Sequence, residues 1–277
     1  MKRVGALGVG TIVFHLLPLL GAILTLVPLV WMVGASLMAQ GEANTVPPPL
    51  WPDAPTFENY RSLFSRLDMA RHFFNSVVVT VSATVLSVLI NGMAGYAFGK
   101  LRFPGRDKIF GSLVAALVVP AQIGMLPLFL LLRELGLVNT YAGVLIPYLS
   151  SVFGIFLIRQ YVLSVPDDLL DAARIDGASE FRIFWTLVFP LIRPILVTLA
   201  TFTFLGAWND FMWPLIILTD TTKQTLPVAL ANLSGEHVQD TELMMAGAVL
   251  TVLPALIVFL FFQKTYVRGI TQGGVKG

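Results

Sequence analysis

At 277 residues the chain is 56% hydrophobic and only 12% charged, with a formal net charge of +2. A water-facing globule carries about a quarter charged residues, so this composition excludes a soluble domain and places the chain in a membrane. With no cysteine and only His15, His72 and His237, well separated, disulfides, thiol catalysis and a Cys- or His-rich metal site are excluded.

The first charge-free run, Val4–Gln40, follows Met1-Lys2-Arg3. It far exceeds the ~7–15 apolar residues of a signal-peptide core, so an uncleaved anchor is expected. Pro18 and Pro28 inside it predict kinks that absorb its excess length. Gly41–Arg71 is rich in turn formers and then reads as a short helix with Thr56 as its N-cap. The second run, Phe73–Gly99, ends in Gly95-xxx-Gly99. That spacing admits a closely packed helix, from the same chain or from another subunit. Pro104-Gly105 marks a tight basic turn at Lys100–Arg106. Runs three and four are Ile109–Leu132 and Leu135–Ile158. Asn75, Asn91 and Gln122 are expected to make helix–helix hydrogen bonds.

Val165–Pro194 is a charged island containing Ala and Gly. Pro166, after Ser164, suits the start of a helix, where a missing N–H costs nothing. Asp167 and Asp168 fall in its first turn, where the helix dipole favours negative charge. Gly177 can take the left-handed conformation that ends the helix. Ser179 then caps a second helix running toward Pro190. The fifth run, Pro194–Thr219, is interrupted by Asp210. A polar, acidic segment, Asp220–Glu242, leads to the sixth run, Leu243–Gln263.

Each run exceeds the ~20 residues that cross ~30 Å of hydrocarbon as a helix. Period-2 alternation is absent, so a closed barrel is excluded and helices are the remaining solution. The expectation is a single all-α integral membrane domain over 1–277, with spans near 9–39, 72–100, 108–132, 139–163, 190–219 and 242–264. Of the 18 Lys and Arg, thirteen fall on the side of the N-terminus, among them Lys2, Arg3, Arg102, Lys264 and Lys276. Arg61, Arg66, Arg71, Arg133 and Lys223 fall on the other. This bias puts both termini and the 165–190 loop in the cytoplasm. The basic residues are spread along the loops, which excludes nucleic acid as a partner.

The island also carries a spaced motif: Asp171-Ala172-Ala173, three residues, Gly177, nine residues, then Leu187-Val188-Phe189-Pro190. This resembles the cytoplasmic loop by which membrane subunits of ABC importers dock onto their ATPase subunits. The wider chain resembles the permease of bacterial carbohydrate-type ABC importers of the six-span class. Matching stretches are Tyr96–Phe103, Trp208–Leu215 and Gln263–Gly273. Asp171 replaces the usual Glu, Leu187 an Ile and Phe189 a Leu, all with chemistry retained. The resemblance implies a type I importer transmembrane domain in the bacterial inner membrane. It implies ATPase coupling through Asp171, Ala172, Ala173, Arg174, Asp176, Gly177, Ala178 and Pro190. The implied partners are a second homologous permease, a cytoplasmic ATPase dimer, an extracytoplasmic solute-binding protein and membrane lipid. An ordinary amphipathic helix packed on the bundle is the plainer alternative for the loop.

No Gly-x-x-x-x-Gly-Lys-Ser/Thr phosphate loop occurs, so ATP and Mg belong to a partner and this chain holds no cofactor and catalyses nothing itself. Asp210 is the one carboxylate inside an apolar run. It costs about 2.5–3.5 kcal/mol on insertion scales, so it should face a cavity or a partner. Trp208, Asn209, Asp210 and Trp213 form a candidate substrate pathway, since rings stack on a sugar's C–H face while amide and carboxylate bind its hydroxyls. The same groups could instead hold the bundle together. An importer of another small polar solute and an ion-driven transporter are the competing functions; the second needs intramembrane carboxylates in both halves.

Overall fold

The computed structural model describes residues 9–66, 68–236 and 240–274. Lys2, Arg3, His237 and Lys276 lie outside them. Among the described residues the regular structure is helical throughout, with no strand. In chain order the helices are α1 (Val9–Ser36), α2 (Glu58–Arg66), α3 (Met69–Lys100), α4 (Arg106–Ala116), α5 (Met125–Glu134), α6 (Tyr141–Leu149) and α7 (Val152–Val162). They continue as α8 (Asp167–Ile175), α9 (Glu180–Ile183), α10 (Phe189–Leu191), α11 (Arg193–Asn209), α12 (Met212–Ile217), α13 (Leu226–Glu236) and α14 (Thr241–Gly274).

Among the described residues, three helical stretches are long and apolar enough to cross a membrane unaided: Phe14–Ser36, Met69–Lys100 and Thr241–Gln263. Runs three and four, expected as continuous spans, are bent pairs; run five breaks at Asp210, where an interruption was expected, and a further bend at Ile192 precedes it. Arg106–Ala116 and Ala121–Glu134 meet at 100°, Tyr141–Leu149 and Val152–Val162 at 41°, and Glu180–Leu191 and Arg193–Asn209 at 82°. The breaks have local causes. Pro120 cannot donate to the preceding turn and disfavours helix just before it. Ser150 and Ser151 are both extended, and the Ser151 hydroxyl caps α7 by accepting the Gly154 N–H. Ile192 ends α10, and Pro194, which suits the first turn of α11, cannot donate to the Pro190 carbonyl, so the ladder of α10 does not run on into α11.

Within the single domain expected over 1–277, the backbone gathers into two compact units. One takes the chain up to Met69 together with Leu230–Val252. The buried Glu242 accepts the Ala43 N–H at 2.8 Å, and Asn59 donates to the Ser36 and Met38 carbonyls that close α1. At Gly247 an added Cβ would lie 2.2 Å from Leu230, so only glycine permits that approach. The Thr56 hydroxyl accepts the Glu58 N–H, the cap expected for α2. An open cavity of about 390 Å³ in this unit is lined by Gln40, Thr56, Glu58, Asn59 and Asp240, among others.

The other unit takes Ala70–Ala229 and the chain from Leu253. Its largest core cluster includes Tyr96, Ile158, Val162, Leu170, Phe184 and Ile195, all buried. Hydrocarbon tails are as apolar as these side chains, so close packing and hydrogen bonds, more than escape from solvent, hold such helices together. The Gly95-xxx-Gly99 face packs on α7 of the same chain. An added Cβ at Gly95 would lie 2.6 Å from Ile158, and one at Gly99 3.0 Å from Val162. Asn91 donates to the Ser87 carbonyl and accepts the Ser151 N–H at 2.9 Å, tying α3 to the α6–α7 break. Asn75 accepts from the Tyr141 hydroxyl and donates to the Thr222 and Gln224 carbonyls. Gln122 differs from expectation. It lies exposed in a 3-10 turn at Ala121–Gly124, because the Pro120 break turns that stretch away from its neighbours.

Candidate functional site

The 165–190 segment forms the helix, glycine corner and second helix that its composition predicts. Helix α8 starts at Asp167 with Pro166 as its N-cap residue, and Ser164 belongs to the preceding end, its hydroxyl donating to the Tyr161 carbonyl. At the far end the Ala178 N–H reaches the Ala173 carbonyl and the Gly177 N–H that of Arg174, both at 3.0 Å. This crossed pair is a Schellman closure, and it places Gly177 at φ +77°. Ser179 caps α9 by accepting the Arg182 N–H at 3.3 Å. A π-helical turn, Phe184–Val188, then carries the chain into Pro190. A proline there leaves the Thr186 carbonyl without its ladder donor, which favours the wider turn.

The corner is held from within by charge. Arg174 donates to Asp171 at 2.6 Å and to Glu180 at 2.7 Å, and Glu180 also accepts from the Tyr96 hydroxyl of α3 at 2.5 Å. Glu180 and Asp171 together raise the Arg174 guanidinium above its usual range. The largely buried Lys100 ammonium donates to the Val165 carbonyl and to Asp167, both at 2.6 Å, and this contact lowers the Asp167 carboxyl below the ordinary range. Leu170 and Ile183 are fully buried and seat the corner on the core cluster. Arg174 therefore serves the corner's own geometry, whereas Ala172, Asp176 and Gly177 lie exposed. Around them Ile175 is 86% and Phe181 67% exposed, two apolar side chains that sequence reading passed over. An outward-facing Ile four residues before Ser179 is a departure from amphipathic order that could have flagged them. Nothing lies within 4 Å of a Cβ built at Gly177, so its role is conformational.

The second candidate lies where α11 stops. Asp210 is extended, with ψ 124°, and separates α11 from α12. Its carboxylate accepts a short hydrogen bond from the Tyr148 hydroxyl of α6 and a longer one, 3.4 Å, from the Trp213 N–H. Trp213 is buried and donates its indole N–H to the Gly143 carbonyl at 3.2 Å. Trp208 is also buried, stacked parallel to Phe204 and edge-on to Phe73. Asn209 is exposed and Asp210 partly so. The four residues thus divide: the indoles pack inward, and the amide and carboxylate mark an open polar step in an apolar helix.

Comparison with known proteins agrees with this architecture. Residues 12–272 match the family described as "Binding-protein-dependent transport system inner membrane component". The arabinooligosaccharides transport system permease protein AraQ of Bacillus subtilis is 40% identical over 227 residues, covering 82% of this chain and 81% of AraQ. The diacetylchitobiose uptake system permease protein NgcG of Streptomyces coelicolor is 34% identical, covering 94% and 87%. A chain from the crystal structure of a bacterial ABC transporter that imports the acidic polysaccharide alginate superposes with a TM-score of 0.82. It is 26% identical, and the match covers 95% of this chain and 99% of that one.

Proposed function

Because the chain belongs to the family of inner membrane components of binding-protein-dependent transport systems, we propose that it is the permease subunit of a carbohydrate importer. In this reading the first two bent pairs each cross the membrane once and the fifth span starts at Arg193, beyond the 82° bend, giving six spans with both termini and the 165–190 corner on the cytoplasmic side. A second permease pairs with it, an ATPase dimer binds ATP and Mg and hydrolyses the nucleotide, and an external binding protein delivers the solute. The sugar class is supported by the relatives' own substrates, arabinooligosaccharides and diacetylchitobiose among them. Asn209 and Asp210 supply the polar step that hydroxyl-rich solutes need in an apolar path, while Trp208 and Trp213 hold its walls.

The observation that carries the coupling assignment is the exposed corner itself. Ala172 and Gly177 leave the backbone approachable, Ile175 and Phe181 offer apolar anchors, and the Arg174–Glu180–Tyr96 chain transmits displacement of the corner to α3. A corner held by charge-assisted bonds moves as one body, as transmission requires. Reconstitution in proteoliposomes with ATPase and binding protein tests it. Gly177→Val and Ala172→Arg should abolish the ATP hydrolysis stimulated by loaded binding protein while the ATPase alone keeps its basal rate. Asp171→Glu should be nearly silent. Normal stimulated hydrolysis in both disruptive variants would remove this loop as the coupling element.

A further inference from the structure

The turn between α3 and α4 forms an open concavity of about 520 Å³ lined by Arg102, Phe103, Gly105, Arg106, Asp107 and Lys108. We propose that this concavity binds the anionic headgroup of a membrane phospholipid, with the acyl chains running along α4. The inference rests on reading the chain as a membrane-spanning importer subunit.

Three cations face one carboxylate here. Arg106 is committed to the chain: it pairs with Asp107 at 3.0 Å and donates to the Leu101 carbonyl at 3.2 Å. That pairing orients the Asp107 carboxylate toward Arg106. Arg102 and Lys108 are exposed and have no side-chain hydrogen bond or ion pair among the described residues; Arg102 lies close enough to Asp167 to favour its ionised form, but the donors of both cations stay open to the concavity. The nearby Lys100 is occupied by Asp167 and the Val165 carbonyl, and Arg159 lies over the Phe110 ring at 4.1 Å. Gly105, at φ +80°, begins α4 without a side-chain cap, so the first-turn N–H groups add to the positive field.

Apolar surface adjoins the cations. Phe103 and Ile109 are 36% and 48% exposed, and no residue of α4 is buried. α4 packs one face on α7 through Phe110 and Phe156, and a cationic concavity continued by its other, exposed apolar face matches an amphiphile with an anionic head. Three basic side chains in one turn are too few for a nucleic-acid footprint but suit one phosphate-bearing headgroup.

The test uses the assembled transporter in nanodiscs of phosphatidylcholine containing increasing phosphatidylglycerol, with bound lipid measured by native mass spectrometry. The wild-type complex should retain phosphatidylglycerol in preference to phosphatidylcholine. Arg102→Gln and Lys108→Gln should each weaken that retention about fivefold, and the double variant about 25-fold. The swapped variant, Arg102→Lys with Lys108→Arg, should bind as wild type and stands in if the Gln variants do not assemble. Equal phosphatidylglycerol retention in wild-type and neutralised complexes would overturn the proposal. So would displacement of the lipid by an equal concentration of inorganic phosphate, which would mark a free-anion site. Loss of ATPase co-purification with lipid retention unchanged would instead make the turn a protein-docking surface. Stimulated ATP hydrolysis, measured in the same discs, reports on the importer reading separately.

Discussion

Arg174 shows how a charge suited to a partner can be spent at home. The motif reads Asp171, Arg174 and Asp176 as orienting charges for an ATPase, yet Arg174 closes on Asp171 and Glu180 within the chain. Replacement by Gln should therefore loosen the corner, seen as faster amide hydrogen exchange across 167–180 and lower stimulated ATP hydrolysis, with Arg174→Lys intermediate because a point charge cannot fork between two carboxylates. The Lys100–Asp167 tether has a defined pH sense. A carboxyl whose folded pKa is depressed contributes above its unfolded value, near 3.8, and loses that contribution only as pH falls through the lower folded value. Exchange protection at 165–168 should thus stay constant from about pH 5 to 8; a decline within that window would show that Asp167 does not hold the loop. At the polar step, Asp210→Ala should lower transport or alter substrate range while leaving the extracted complex intact. Equal loss of assembly and transport would mean that Asp210, with Tyr148, only holds the bundle. Gly177 and Ser179 were legible because each acts on backbone within three residues of itself. Tyr96 and Lys100 were not, since their partners lie 84 and 67 residues away.

Among the elements, small residues and prolines decide how apolar helices meet. Gly95→Val should place side-chain atoms into Ile158 and Arg159 of α7, an overpacking that costs roughly 1–3 kcal/mol. The readout is a lower melting temperature of the detergent-extracted complex. Gly111→Ala in α4, with nothing within 4 Å of the added Cβ, is the matched control and should be silent or slightly stabilising. An unchanged melting temperature for Gly95→Val would show that α3 and α7 are not in close contact in the membrane. The sequence predicted six apolar runs, but hydropathy sums over residues and is blind to backbone continuity. Pro120 and the Ser150-Ser151 pair bent two of those runs and Pro194 helped to set a third bend just before the fifth, at angles that only the packed structure fixes.

For the whole molecule, the positive-inside split and the family assignment lead to one arrangement that reporter fusions can test. A reporter active only in the cytoplasm should work after Arg106 or Lys264 and fail after Ser65 or His237; reversal at any site would overturn the six-span arrangement. Membrane residence, helical class and the helix-glycine-helix corner were already determined by the sequence alone, because composition, charge asymmetry and the cap and corner residues Pro166, Gly177 and Ser179 act locally or additively along the chain. Three features were decided only by the tertiary structure. Residues near Ala43 pack with Glu242, 199 residues later, to make a compact unit. Trp208 and Trp213 turn inward while Asn209 and Asp210 stay open. Glu180 and Asp167 close on Tyr96 and Lys100 of α3, while Asp171 and Asp176 stay exposed. Each depends on which distant side chain arrives within hydrogen-bond or van der Waals reach, a matter of packing among helices that no window of neighbouring residues encodes.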